Sequence, residues 1–239
     1  MIKIMKYGEV DNKDIFARGT AATSVEDIVS GIIENVKANG DKALLDYALR
    51  FDKAHLSALE VSKEEIEKAV AETDSKFIEI LKAAKANIWD FHARQKRTGF
   101  CVDEKQGIVV GQRILPLERV GIYVPGGTAS YPSSVLMNAI PARIAGVSEI
   151  IMVTPPCADG SIKKEILAAA SIAGVDRIFK VGGAGAIAAL AYGTESIPAV
   201  DKIVGPGNVF VATAKRMVFG KVAIDMVAGP SEILIVADD

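Results

Sequence analysis

The chain has 239 residues, of which 50% are hydrophobic, and a formal net charge of -2. This composition is typical of a folded protein with one large core or two smaller ones, and it argues against intrinsic disorder. The near balance of charge excludes a strongly basic surface for nucleic acid or for a membrane.

No segment of the sequence predicts secretion or membrane insertion. Residues 1–7 lack the apolar core of a signal peptide, and the least charged stretch, 120–142, is interrupted by prolines and glycines. Cys101 and Cys157 lie far apart, as expected for reduced thiols. We therefore expect a cytoplasmic protein with no nucleic acid or membrane partner.

A polar tail of about 20 residues precedes a region of helical periodicity that extends to about residue 97. Apolar residues from Val25 to Val36 recur at helical spacing, and Asn39-Gly40 is predicted to end that run. A second helix is expected over about 43–51. We interpret these apolar stripes as core packing.

Two further helices are expected in the same region. Ser62-x-x-Glu65 is a capping box, in which each side chain bonds the other residue's backbone amide, and it predicts the start of a third helix. Apolar residues from Phe77 to Phe91 indicate a fourth helix, also with a core-packing face.

The pattern changes after a strand predicted at 107–115, which Pro116 ends. Short apolar strands then alternate with helices, which predicts a mostly parallel sheet covered on both faces. A last strand is expected at 232–237. The alternating strands are predicted at 120–124, 149–154, 177–181 and 202–204, and the helices near 132–146, 161–173, 183–191 and 207–218.

Turns rich in glycine and proline follow several of these strands. In alternating α/β sheets, ligands bind at the carboxyl ends of the strands, and glycine lets backbone amides approach a ligand closely. A ligand site is therefore predicted at this edge of the sheet. The turns are Gly121-Ile-Tyr-Val-Pro-Gly-Gly127, Gly182-Gly-Ala-Gly-Ala186, Gly205-Pro-Gly-Asn208 and Ala228-Gly-Pro-Ser231.

One of these turns matches a dinucleotide-binding pattern. Gly183-Ala-Gly185-Ala-Ile-Ala188 fits G-x-G-x-x-A between a predicted strand and a predicted helix. The pattern also requires an acidic residue at the end of the next strand, and Asp201 instead begins its strand. Close packing of helix on sheet is the other interpretation of these glycines.

Three polar side chains lie in the other turns, each with two interpretations. Asn208 either contacts a ligand at a helix N-terminus or caps that helix. Tyr123 either stacks on a base or bonds a ribose, or else packs in the core. Ser231 is either a substrate-binding hydroxyl or a turn residue, because its surroundings do not match a G-x-S-x-G elbow.

The residues that carry proton or metal chemistry are sparse. His55 and His92 are the two histidines, and neither has another ligand at metal-binding spacing. Neither Cys101 nor Cys157 has an evident activating base. From these residues alone, the sequence predicts a ligand-binding α/β framework without a catalytic group.

The sequence resembles histidinol dehydrogenase over nearly all its length, in motifs that are long and specific. They include Asn39-Gly-Asp-Lys-Ala-Leu44, Tyr47 and Phe51-Asp52, Arg119-Val-Gly-Ile-Tyr-Val-Pro-Gly-Gly127, Tyr131-Pro-Ser-Ser-Val-Leu-Met137, Ile140-Pro-Ala-Arg-Ile-Ala-Gly146, Val153-Thr-Pro-Pro156, Ala191-Tyr-Gly-Thr-Glu-Ser196, Val204-Gly-Pro-Gly-Asn208 and Ile224-Asp-Met-Val-Ala-Gly-Pro-Ser-Glu232.

The resemblance implies an α/β fold with two related Rossmann-like domains. After a tail at 1–20, residues 21–119 would form the first, largely helical part of domain 1. A Rossmann-like parallel-sheet domain at about 120–231 would be inserted after it. Residues 232–239 would begin the return to domain 1, which would be incomplete.

The resemblance also implies an activity and its site. The family oxidises L-histidinol to L-histidine in two NAD-dependent steps, with zinc, as a homodimer in histidine biosynthesis. Tyr123, Asn208 and Gly185 match cofactor-binding positions, and Ser231 matches a substrate-binding position. The family usually has Gln where this chain has Gly185, which predicts weaker NAD binding and accounts for the apparent fingerprint.

The family's zinc ligands and its catalytic Glu-His pair come later in sequence than residue 239. We therefore expect no catalytic or metal-binding residue in this chain, zinc ligands in the missing C-terminal part, and no activity of this chain alone. Two alternatives are a catalytically dead ligand-binding module and a family relative that oxidises a different small alcohol.

Overall fold

The structure is a computed structural model, and it describes residues 8–11, 13, 25–126, 130–227 and 235–237. The chain divides into two units, residues 1–24 with 228–239, and residues 25–227. In the first unit, Gly8 and Glu9 form a turn, and residues 235–237 have no regular structure. All elements below belong to the second unit.

Asn39-Gly40 was predicted to end the first helix, but the helix α1 (Glu26–Tyr47) continues through these residues with a kink. Gly40 has φ 51° and ψ -131°, which lie outside the helical region, and the chain returns to helical conformation after it. Five residues of π-helix follow at Ala48–Asp52. Lys53 then has a left-handed backbone, with φ 60°, and turns the chain away.

Both remaining N-terminal helices begin at side-chain caps. The predicted capping box precedes α2 (Lys63–Glu72) and is confirmed: the Glu65 amide donates to Ser62 Oγ at 3.2 Å, and the Ser62 amide donates to Glu65 Oε2 at 2.9 Å. Helix α3 (Ser75–Ala93) starts after Asp74, whose carboxylate accepts from the Phe77 amide.

A two-stranded antiparallel hairpin follows, formed by β1 (Phe100–Lys105) and β2 (Ile108–Gln112). Strand β2 lies within the predicted 107–115 segment, whereas β1 was not predicted. Apolar side chains of both strands, including Phe100 and Val109, are exposed.

The predicted parallel sheet is present and has five strands in the order β5-β4-β3-β6-β7. Every adjacent pair is parallel. The α/β fold class is therefore confirmed. The strands are β3 (Arg119–Tyr123), β4 (Glu149–Thr154), β5 (Arg177–Lys180), β6 (Lys202–Val204) and the unpredicted β7 (Ala223–Ile224).

Helices cover both faces of the sheet, as the alternation predicts. One buried cluster joins α1 to the helices on its side through Val29, Ile187 and Val211, and the other contains Leu81 and Leu136. The helices that alternate with the strands are α4 (Pro132–Ala145), α5 (Lys164–Ala173), α6 (Gly183–Tyr192) and α7 (Val209–Val218).

The predicted final strand is not seen where the structure describes it. Residues 235–237 lack strand structure, and Ile235 and Val236 are exposed, because no described segment pairs with them. Residues 232–234 and Ser231 lie outside the described residues. The division into an inserted domain and an interrupted one stays a prediction.

Candidate functional site

The strand order places two of the predicted site residues at one point of the sheet. The chain leaves β3 toward β4 on one side, and β6 is β3's neighbour on the other. Ligands of open parallel sheets bind at such a reversal, beyond the carboxyl ends of the strands. Tyr123 ends β3, and the Gly205–Asn208 turn follows β6.

Tyr123 is buried, with 4% of its surface exposed, and its hydroxyl oxygen accepts a hydrogen bond from the Gly183 amide at 3.2 Å. Burial raises the pKa of the Tyr123 hydroxyl, the Gly183 bond opposes this, and the negative charge of Asp52 raises it further. The hydroxyl therefore keeps its proton at neutral pH. Because the Gly183 amide occupies an acceptor position, the O–H stays available to donate to a ligand.

Asn208 is the N-cap of α7. Its Oδ1 accepts from the amides of Phe210, at 3.1 Å, and Val211, at 3.2 Å. The capping interpretation is thus confirmed. It leaves the Nδ2 group, with two donors, for a ligand, so the cofactor contact stays a prediction compatible with the cap.

The turn before Asn208 is fixed from two sides. Gly205 has φ 121°, and a Cβ there would lie 2.2 Å from the carbonyl oxygen of Tyr123. The buried Lys215 ammonium donates to the Gly205 carbonyl at 2.9 Å, and Asp225 accepts from the Gly205 amide at 2.9 Å. Lys215 and Asp225 also form an ion pair. The turn is therefore held close to the backbone of Tyr123.

The glycines at the start of α6 allow this helix to lie close to α1 and to the turn after β4. A Cβ on Gly182 would lie 2.6 Å from Pro155 Cβ, in the turn after β4. A Cβ on Gly185 would lie 3.3 Å from side-chain atoms of Leu44 and Tyr47 in α1. Gly185 therefore contributes only backbone atoms to the site. Helix α1 lies against this position, at which the resemblance implies a Gln in the family.

These elements enclose a cleft of about 600 Å³, a volume within the usual range for small-molecule and cofactor sites. Apart from the Gly183 amide, which donates to Tyr123, the backbone amides of the first turn of α6 lack intrahelical acceptors and favour an anionic group. The described lining residues include Tyr123, Gly182, Gly183, Ala184, Gly185 and Asn208, together with Ile28, Ile32, Tyr47, Phe51 and Asp52 from α1 and its π-helical end.

The wall formed by α1 was not predicted as part of the site. Tyr47 and Phe51 stack with their ring centroids 5.5 Å apart, and burial raises the pKa of Asp52 to about 6. The helical periodicity of Tyr47 and Phe51 predicts core packing for both side chains. The signal that pointed to them was their presence, with Asp52, among the motifs shared with the family.

Two of those shared motifs meet in the structure and fix α1 against the sheet. Asp41, directly after the kink, accepts hydrogen bonds from the hydroxyls of Thr194 and Ser196. In return, the carboxylate of Glu195 accepts from the Asp41 amide at 2.8 Å. Since these residues hold the middle of α1 beside the end of α6, they keep the α1 wall over the glycine turn.

The structure does not bring the other candidates into this cleft. His92, in the last turn of α3, bonds Gln95 just beyond the end of that helix at 2.7 Å, and neither His92 nor His55 lines the cleft. Cys157 lines a smaller adjoining cavity, Cys101 lies in β1, and both are free thiols.

The described residues contain neither a metal site nor a membrane-spanning helix. They contain no group of three or more His, Cys, Asp or Glu side chains that could hold a metal ion, so they do not fit the zinc that the resemblance implies. In the same part of the chain, no helix is long and apolar enough to cross a membrane.

A parallel sheet with this strand order and a glycine-lined cleft at its reversal point defines a Rossmann-like α/β protein. The family model for histidinol dehydrogenase matches residues 17–239. The chain belongs to the histidinol dehydrogenase family.

Individual relatives agree with this assignment. A histidinol dehydrogenase from Clostridium acetobutylicum is 52% identical over 100% of this chain and 57% of its own length. One from Listeria innocua is 61% identical over 88% of this chain and 49% of its own. The crystal structure of histidinol dehydrogenase from Elizabethkingia anophelis superposes with a TM-score of 0.85 at 41% identity, covering 90% of this chain and 50% of that one. The chain thus spans about half the length of these relatives.

Proposed function

We propose that this chain provides the NAD-binding half of a histidinol dehydrogenase, an oxidoreductase that converts L-histidinol to L-histidine in two steps. The observation that carries the proposal is the convergence of Tyr123, Asn208 and the Gly182–Gly185 turn on one cleft at the reversal point of the sheet. The names of the relatives favour histidinol over another small alcohol as substrate.

The residues of the cleft fit a dinucleotide. The amides at the start of α6 suit a pyrophosphate, because they carry the positive end of the helix dipole. Tyr123 and Asn208 offer an O–H and two N–H donors, and the stacked rings of Tyr47 and Phe51 offer an apolar wall for a base. Bound NAD would supply the hydride acceptor, once for the alcohol and once for the aldehyde.

In this proposal, the chain's own residues bind and orient the cofactor. Tyr123 donates to it while its oxygen is fixed by Gly183, and Asn208 donates through Nδ2 while its Oδ1 caps α7. Gly185 contributes backbone only. Ser231 is proposed to contact the substrate on the strength of the family motif, and its structure lies outside the described residues.

Zinc, a homodimeric assembly and a cytoplasmic location belong to the same proposal. The resemblance assigns the zinc ligands and the proton-transferring residues to the half of the relatives that this chain does not span.

The β1–β2 hairpin exposes apolar side chains, such as Val109 and Val110, which another protein surface could cover. Two free cysteines agree with a reducing compartment.

Calorimetry and a complementation assay test this function. Titration of NAD into the chain is expected to show one saturable site, and the chain alone is expected to form no NADH from histidinol. NADH formation should appear on adding a polypeptide that spans the remaining half of the Clostridium acetobutylicum relative. Absence of NAD binding by a folded chain would contradict the proposal.

A further inference from the structure

Asp52 occupies a special position in the cleft. It is the last residue of the π-helical segment, and the left-handed Lys53 turns the chain away after it. It lines both the main cleft and an adjoining cavity of about 410 Å³, which share Phe51, Pro125, Gly126 and Pro155 as well. Asp52 therefore lies at the junction of the two spaces, beside the carboxyl ends of β3 and β4.

The sheet itself places no carboxylate at this junction. In Rossmann-type sites an acidic residue at the end of the second strand bonds the ribose hydroxyls of NAD. Here the equivalent strand, β4, ends at Thr154 and continues into Pro155-Pro156. Asp201 lies at the opposite edge, where it accepts from the Arg119 amide at 2.8 Å.

Asp52 is the one acidic residue among the described residues that line the two cavities. No described residue donates a hydrogen bond to its carboxylate or forms an ion pair with it. Burial without a partner disfavours the ionised form, so the pKa is raised to about 6. A ligand with two neighbouring O–H donors would satisfy this carboxylate.

We propose that Asp52 bonds the adenosine-side ribose hydroxyls of the dinucleotide and makes the site prefer NAD to NADP. The inference rests on the proposed function and deepens it. Phe51, adjacent in sequence, is 57% exposed and stacked on Tyr47, so a ring surface for adenine lies next to the carboxylate. In NADP a phosphate replaces the proton of the 2′-hydroxyl, so one hydrogen-bond donor to Asp52 is lost. The negative charge of that phosphate would face the Asp52 carboxylate, and this repulsion disfavours NADP binding.

The test compares the wild-type chain with Asp52→Asn and with Asp46→Asn, an exposed carboxylate on α1 that lines neither cavity. Calorimetric titrations with NAD and with NADP are run on each at pH 8. Wild type and Asp46→Asn should bind NAD at least tenfold more tightly than NADP. Asp52→Asn should bind NAD about tenfold or more weakly than wild type does, because a charge-assisted hydrogen bond is lost. The ratio of its NAD affinity to its NADP affinity should also be smaller than in wild type.

The outcomes separate this inference from the proposed function. If the folded wild type binds no NAD, both fail. If wild type binds NAD while Asp52→Asn binds it equally well with the same preference over NADP, only the role of Asp52 is overturned. Equal binding of NAD and NADP by wild type also overturns it.

Discussion

The hydroxyl oxygen of Tyr123, at the end of β3, accepts a hydrogen bond from the backbone nitrogen of Gly183, at the start of α6, over 3.2 Å. This bond connects the two glycine-rich turns that face each other across the cleft. It also fixes the direction in which the hydroxyl can donate, because its accepting side is occupied.

Tyr123→Phe is expected to weaken NAD binding about three- to tenfold, since one neutral hydrogen bond to the cofactor is lost. The free energy of unfolding should fall by about 1 kcal/mol, because the Gly183 amide loses its acceptor. Calorimetry and urea unfolding measure the two effects. Tyr131→Phe, at an exposed tyrosine, is the control and should change neither. Unchanged NAD affinity in Tyr123→Phe would contradict the cofactor role of the hydroxyl.

Gly205→Ala is expected to destabilise the chain severely. A Cβ at this position would lie 2.2 Å from the Tyr123 carbonyl oxygen, and φ is 121°. Gly220 also has a positive φ, 101°, but no atom within 4 Å of its Cβ position, so Gly220→Ala isolates the backbone strain. The loss in Gly205→Ala should exceed that in Gly220→Ala by about 2 kcal/mol or more. Equal thermal stability of the two variants would show that the Gly205 turn is not held against Tyr123.

Lys215→Met should lower the free energy of unfolding by about 3 kcal/mol, because it leaves Asp225 and the Gly205 carbonyl without their buried partner. The Lys215 side chain is only 5% exposed in its ion pair. Lys68→Met, which removes an exposed ion pair with Glu72, is the matched control and should cost no more than about 0.5 kcal/mol. Chemical unfolding of both variants provides the comparison, and a similar small loss in both would contradict a supporting role for Lys215.

The strand alternation and the Asn208 cap could be predicted because both follow from local sequence. Short apolar runs with helical segments between them impose a parallel sheet, and an Asn before a helix has its cap acceptors only two or three residues away. The position of the cleft followed from the same alternation. The break at Gly40 was also local, because glycine adopts the required backbone conformation at little cost.

The α1 wall could not be predicted, because its role depends on contacts more than 100 residues apart in sequence. Tyr47 and Phe51 have the periodicity of core residues, and long-range contacts such as the Asp41 bonds to Thr194 and Ser196 place them over the glycine turn. Nothing in the local sequence marks Asp52 as a partly buried carboxylate. The hairpin strand β1 was missed for a different reason, since neither Phe100 nor Cys101 at its start is buried and the sequence shows no alternating pattern there.

The stability of the chain should depend on Asp52 in a definite pH range. In the folded state the pKa of Asp52 is about 6, against about 3.8 for an aspartate in water. Ionisation therefore favours the unfolded state, and this contribution to stability falls as pH rises from about 4 to about 6 and stays low above that. Asp52→Asn should raise the melting temperature at pH 8 and leave it nearly unchanged at pH 4. A rise of equal size at both pH values would contradict burial of the charge as the cause, and Asp46→Asn serves as the control.

Gly185→Gln tests the position at which this chain departs from its family. The substitution adds an amide that is expected to donate to the cofactor, so NAD affinity should rise a few-fold to about tenfold. Its Cβ would lie 3.3 Å from Leu44 Cδ2 and Tyr47 Cδ2, both side-chain atoms, so α1 has to yield by a few tenths of an ångström. Overpacking of this kind costs about 1 kcal/mol or more.

Gly185→Ala introduces the same Cβ without the amide and separates the two effects. It should show the loss of stability without the gain in NAD affinity. If Gly185→Gln binds NAD no better than Gly185→Ala, the side chain does not reach the cofactor, because α1 occupies the space that the family's Gln requires. A gain in affinity confined to Gly185→Gln would show that the cleft of this chain keeps room for the side chain that it lacks.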